Sequence, residues 1–121
     1  MKKILILDDD KDNLDILSFI LTDTGYDVKL LSSGDTVFDE IEIYQPDLIL
    51  MDVRLAGLDG REICRSIKEN QLTNAVPVIL VSATFDLAGS MDGPGAPNGY
   101  ITKPYDLDYL LDSVKKYMVA V

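Results

Sequence analysis

The 121-residue chain contains no histidine, no tryptophan and a single cysteine, Cys64. Without histidine there is no Ser-His-Asp triad, no histidine-ligated zinc site and no phosphohistidine acceptor on this chain. One cysteine permits neither an intrachain disulfide nor a Cys-x-x-Cys pair, which suits a reducing compartment. Cys64 stands beside Ile63 and one turn from Ile67, so it reads as a small core-facing residue rather than a reactive thiol. Long apolar stretches are missing too. The first, Ile4–Leu7, is too short for a signal peptide or a spanning helix, and none that follows is long enough, so a cytoplasmic protein without membrane contact is expected. Basic residues are scarce: 11 Lys and Arg against 21 Asp and Glu leave a net charge of −10. That balance argues against direct nucleic-acid binding through bulk electrostatics and does not exclude a basic protein partner.

What is present is ordinary for a globular domain, 47% hydrophobic and 26% charged, and the length suits one domain over residues 1–121. Short apolar runs alternate with helical patterns. The runs predict strands at Lys3–Leu7, Asp27–Leu31, Asp47–Met51, Val76–Val81 and Tyr100–Thr102. Between them, three- and four-residue spacings predict helices over Asn13–Thr24, Asp35–Tyr44 and Arg61–Glu69. Apolar residues are expected to face inward from them: Leu14, Leu17, Ile20 and Leu21, then Val37, Phe38 and Ile41, then Ile63 and Ile67. A final helix starts at an Asp106 cap and carries Leu107, Leu110, Leu111, Val114 and Met118. Gly25 reads as the stop of the first helix. Strands one, three and four are near-continuous apolar runs, the pattern of strands buried on both faces of a parallel sheet. The expected fold is α/β: a flavodoxin-like, doubly wound five-stranded parallel sheet of order 2-1-3-4-5.

In that fold the carboxyl ends of the strands share one edge. Asp8 and Asp9 close the first apolar run, Asp52 the third and Ser82 the fourth, while Lys103-Pro104 follow the fifth. Three gathered carboxylates repel one another and favour a hard cation such as Mg²⁺. A carboxylate is also a competent phosphoryl acceptor. Each residue taken alone has a plainer reading: Asp8 or Asp9 as a helix cap, Lys103 as a solvated strand-end lysine, Ser82 as a polar strand terminator, Tyr100 as edge packing. Asp10 and Asp59 read as structural, one near a helix start and the other at a turn or cap before Gly60.

Four elements in order, Ile-Leu-Ile-Leu-Asp8-Asp9, Leu-Ile-Leu-Met-Asp52, Val-Ile-Leu-Val-Ser82-Ala83 and Tyr100-Ile-Thr-Lys103-Pro104, resemble the receiver domain of two-component response regulators. The resemblance covers essentially the whole chain and implies a set of roles. Asp52 would be the phosphoacceptor. Asp9, Asp52 and the backbone carbonyl of Arg54 would ligate Mg²⁺ (or Mn²⁺), with Asp8 acting mainly through bound water. Lys103 would pair with Asp52 and then with a phosphoryl oxygen, and Ser82 would hydrogen-bond the phosphoryl group. Tyr100 would be the switch aromatic, and the Lys103–Pro104 peptide would be cis. The implied partners are a histidine kinase or histidine phosphotransfer protein and a downstream protein target, with a phosphorylation-dependent homodimer among the outcomes. Catalysis would be limited to the domain's own phosphorylation and dephosphorylation, with Arg54 and Thr84 at positions that adjust the phosphoryl lifetime.

Two departures from the family pattern stand out. The position four residues after Asp52 is Ala56 instead of proline, so the loop there is expected to be looser. Where the family places a fourth helix, Gly89, Gly93, Pro94, Gly95, Pro97 and Gly99 cluster. Each glycine or proline costs a helix about one or three kcal/mol, so this helix is expected to be shortened to one or two turns near Phe85–Ser90, or replaced by a Gly/Pro-rich loop. The alternative to a phosphate-cycling receiver is a pseudo-receiver, a binding module with the fold alone. An aspartyl-nucleophile phosphatase is disfavoured because Arg54 stands where a second Asp is needed. The sequence as it stands reads as a receiver alone, and either a stand-alone regulator or a domain of a longer protein is expected.

Overall fold

The computed structural model describes residues 2–55, 57–82 and 95–118. Its elements are β1 (Lys3–Leu7), α1 (Lys11–Thr24), β2 (Asp27–Leu31), α2 (Val37–Tyr44), β3 (Leu48–Asp52), β4 (Arg54–Leu55), β5 (Leu58–Asp59), α3 (Gly60–Glu69), β6 (Val78–Ser82), β7 (Gly99–Thr102) and α4 (Leu107–Met118). Five parallel strands form one sheet in the order β2-β1-β3-β6-β7, the doubly wound order that the sequence predicts. The pairs run in register, with Ile6 opposite Leu50 and Met51 opposite Leu80.

The pleat divides the apolar runs between two cores, because successive side chains point to opposite faces. Ile4, Ile6, Leu48, Leu50, Ile79 and Val81 pack with Leu14, Leu17 and Leu21 of α1 and with Leu110, Val114 and Met118 of α4. Leu5, Leu7, Ile49, Met51, Val78 and Leu80 pack with Val37 and Ile41 of α2 and with Cys64 and Ile67 of α3. Covering on both faces is why these strands do not alternate. Phe38 and Leu107, expected to face inward, are instead 39% and 47% exposed. Helical spacing marks a face but not how far the neighbouring element extends to cover it.

Helix ends follow from local chemistry. The first helix begins two residues before its expected start, because Asp10 rather than Asp8 or Asp9 is its cap, accepting from the Asp12 and Asn13 amides. It ends at Gly25, whose φ of 110° lets the Gly25 and Tyr26 amides return to the Thr22 and Leu21 carbonyls. Asp59 caps α3 and also holds the Arg61 guanidinium through two nitrogens. The second helix starts later than expected, at Val37, since Thr36 makes no side-chain cap. At the last turn of α3, the Lys68 ammonium donates to the carbonyls of Asn74 (3.0 Å) and Val76 (3.1 Å) and to Asn98 Oδ1 (2.9 Å). The same Asn98 oxygen accepts from the Val78 amide at the start of β6. The expectations for a shortened fourth helix and for Ala56 fall on residues outside those described. The flanks of Ala56 pair as a two-residue ladder, Arg54 with Asp59 and Leu55 with Leu58.

Candidate functional site

Because all five sheet strands run the same way, their carboxyl ends meet at one edge. The ladder continues past several of them: the Asp8 amide donates to the Leu31 carbonyl, the Val53 amide to the Val81 carbonyl and the Lys103 amide to the Ser82 carbonyl. These bonds fix the backbone that carries Asp8, Asp52 and Lys103. Gly60 tightens the edge further. A Cβ there would run into the Asp52 carbonyl oxygen, so only glycine lets α3 begin so close to the end of β3.

The side chains converge as the edge brings them together. Carboxylate oxygens of Asp8, Asp9 and Asp52 all lie within 4.8 Å of one another. Asp9 is exposed, Asp8 is buried, and the Asp52 side chain is 12% exposed. The Lys103 ammonium donates to Asp52 Oδ2 at 3.0 Å and stands 4.0 Å from Asp8 Oδ2. Asp52 Oδ1 accepts from the Arg54 amide at 3.2 Å, and Asp8 Oδ1 from the Asp10 amide at 2.9 Å.

Burial pushes the Asp8 carboxyl above its ordinary value. The Asp10 amide opposes the rise, the Asp52 charge adds to it, and Lys103 and an Asn13 side-chain hydrogen bond act against it. For Lys103 burial acts downward, yet its hydrogen bond to Asp52 and the charges of Asp52 and Asp8 win and hold the ammonium above its usual value. Three carboxylates facing one lysine leave an excess of negative charge with oxygen-only ligands. That donor set fits a hard divalent cation, Mg²⁺ above all. A buffered carboxylate beside an ammonium is also placed to attack an electrophilic phosphorus.

Four residues singled out in the sequence, Asp8, Asp9, Asp52 and Lys103, therefore sit together, and the Lys103–Pro104 peptide is cis. Arg54 touches Asp52 through its amide. Ser82 is buried at the end of β6, in register with Thr102. Tyr100 lies on the edge strand opposite Leu80 and is 39% exposed. Sequence reasoning passed over two neighbours of the site. Asn13, in the first turn of α1, lies near enough to lower the Asp8 carboxyl, and Tyr105 shares a small cavity with Asp8, Asp52 and Lys103. The only sequence signal for Tyr105 is its place directly after Lys103-Pro104.

The family profile of the response regulator receiver domain matches residues 4–115. Among solved structures, the signal receiver domain of a signal transduction histidine kinase from Syntrophus aciditrophicus is similar at 29% identity and a TM-score of 0.91, over 100% of this chain and 92% of that one. A CheY-like response regulator receiver domain protein from Methanospirillum hungatei is 28% identical with a TM-score of 0.87, over 98% and 94% of the two chains. A two-component response regulator from Clostridium difficile is 25% identical, also at 0.87, over 99% and 98%.

Proposed function

Given that the chain belongs to the response regulator receiver domain family, we propose that it acts as one receiver domain over residues 1–121 and accepts a phosphoryl group on Asp52. The observation that carries this reading is the single edge at which Asp8, Asp9 and Asp52 cluster while Lys103 bonds Asp52.

An Asp52 carboxylate oxygen attacks the phosphorus of a phosphohistidine on a histidine kinase or phosphotransfer protein. The new O–P bond forms as the P–N bond breaks, and the imidazole leaves with its electron pair. Asp8, Asp9 and Asp52 would hold Mg²⁺, with the Arg54 carbonyl as a further oxygen ligand. When bound, the metal neutralises carboxylate repulsion and stabilises charge on the transferring group. Lys103, already on Asp52, is placed to meet a phosphoryl oxygen as a compact point charge. The Ser82 hydroxyl would bond another phosphoryl oxygen, and Tyr100 would follow its movement. A downstream protein would then read the altered surface by a shift between two states.

Intact mass after incubation with acetyl phosphate, with and without Mg²⁺, on wild type and Asp52→Asn tests the proposal. A phosphoryl adduct is expected only where both Mg²⁺ and Asp52 are present. A folded wild type that stays unmodified would overturn it.

A further inference from the structure

Lys103 reaches Asp52 on a flexible four-carbon stem, and its side chain is 28% exposed. A second carboxylate, Asp8, lies 4.0 Å away. Charge alone therefore does not choose between the two acids, and a lysine free to turn would visit both and the solvent as well. Something must wall the stem.

Beneath the acidic cluster lies a cavity of about 10 Å³, barely the room of one water, lined by Asp8, Asp52, Lys103, Leu50, Val81 and Tyr105 among others. Tyr105 is the only aromatic residue in that lining among the described residues. Its ring is half-buried and packs against the core between the sheet and helices α1 and α4, so packing against apolar residues anchors it. Burial raises the phenol's pKa first of all, and the charges of Lys103, Asp8 and Asp52 all act on it, which places it within electrostatic reach of the three.

We infer that Tyr105 is the positioning residue for Lys103: its core-anchored ring walls the cavity under the acidic cluster and holds the lysine ammonium on Asp52. The ring performs this role, and the hydroxyl is dispensable. Phenylalanine at this position would therefore serve and alanine would not. The consequence for phosphoryl transfer rests on the reading of Asp52 as phosphoacceptor. The positional claim stands on the cavity itself.

The test uses ¹⁵N-labelled wild type, Tyr105→Phe, Tyr105→Leu and Tyr105→Ala without added metal, observing the Lys103 side-chain ammonium by NMR. Wild type and Tyr105→Phe are expected to show a resolved Lys103 signal. In Tyr105→Leu and Tyr105→Ala it should collapse toward the shift of free lysines; the leucine variant keeps apolar bulk should alanine fail to fold. With acetyl phosphate and Mg²⁺, Tyr105→Phe should react within about twofold of wild type and Tyr105→Leu roughly tenfold slower, as for a misplaced catalytic group. Mg²⁺ affinity should stay the same in all folded variants, since a merely loosened site would lose metal and rate together. A Lys103 signal and a rate unchanged in Tyr105→Leu would overturn the inference, as would Tyr105→Phe failing as completely as leucine. A wild type that accepts no phosphoryl group would defeat the Asp52 reading instead, and the ammonium signal would still decide the place of Tyr105.

Discussion

The Lys103 ammonium bonds the Asp52 carboxylate at 3.0 Å across 51 residues of sequence. The contact joins the ends of β3 and β7, which are separated in the sheet by β6. It is the one positive charge within 4 Å of either buried acid among the described residues.

Replacing that charge should therefore affect chemistry more than architecture. Lys103→Met is expected to slow phosphorylation by acetyl phosphate about 10²–10³-fold, the usual effect of losing one charge-stabilising group. Lys103→Arg should recover little, because a planar guanidinium does not replace a compact ammonium. Intact-mass time courses on the three proteins measure it. Equal rates would show that the lysine is a bystander.

Asp9 is the exposed member of the cluster, so its carboxylate can change with little damage to packing. Asp9→Asn should weaken Mg²⁺ or Mn²⁺ binding by at least roughly tenfold, with the fold unaltered. Calorimetric titration of both metals reads the loss, and unchanged affinity would remove Asp9 from the ligand set.

Asp59 offers a pH-dependent test outside the site. Its carboxyl is held below the ordinary 3.8, first by the Arg61 side-chain hydrogen bond, against the opposing effect of burial. A carboxyl depressed in the folded state adds stability above its unfolded value, and that share is lost as pH falls through the folded value. Asp59→Ala should cost about 1 kcal/mol at neutral pH as a lost helix cap. The difference from wild type should shrink below pH 3.8. Urea denaturation of both proteins from neutral to acid pH follows it, and a gap that widens on acidification would contradict the assignment.

Gly60→Ala should be costly, because its Cβ would meet the Asp52 carbonyl and the Val53 backbone rather than a movable side chain. A loss of about 1–3 kcal/mol is expected from urea unfolding, the range for overpacking. Phosphorylation should decline in the same protein, since the displaced carbonyl belongs to Asp52, the proposed acceptor.

Cys64 is fully buried, its thiol pushed up to about 11 chiefly by burial, and it faces the Gly95 carbonyl at 3.7 Å. Iodoacetamide at pH 8 should leave the native protein unlabelled and modify it fully in urea. Rapid native labelling would mean that α3 opens readily.

The strand ends were legible in the sequence because both faces of the sheet are covered. Ile4–Leu7 and Leu48–Met51 could stay apolar throughout, and the first polar residue after each marks the edge. The pairing of Lys103 with Asp52 had no such signal. The strand ends put both residues at one edge, but no spacing rule pairs residues so far apart, and the direct contact was expected only from the resemblance to receivers. The Arg54–Leu55 and Leu58–Asp59 ladder went unseen because two residues are too few to show a period. The start of α1 was misplaced because several aspartates in a row offer competing caps, and only the backbone shows that Asp10 takes the amides. Tyr105 was invisible for a different reason. An aromatic after a proline predicts neither burial nor company, both of which come from the sheet's far neighbours.

The clasp made by Lys68 reaches further than its own corner. The Lys68 ammonium grips Asn98, the residue that leads into β7, and Lys103 follows β7 on its way out. Among the described residues this strand lies at the margin of the sheet, paired with β6 alone. Two lysines therefore moor it, one through the Asn98 side-chain oxygen at its upstream end and the other through the Asp52 carboxylate at its downstream end. The four-residue strand is thus held between the carboxylate edge at one end and helix α3 at the other.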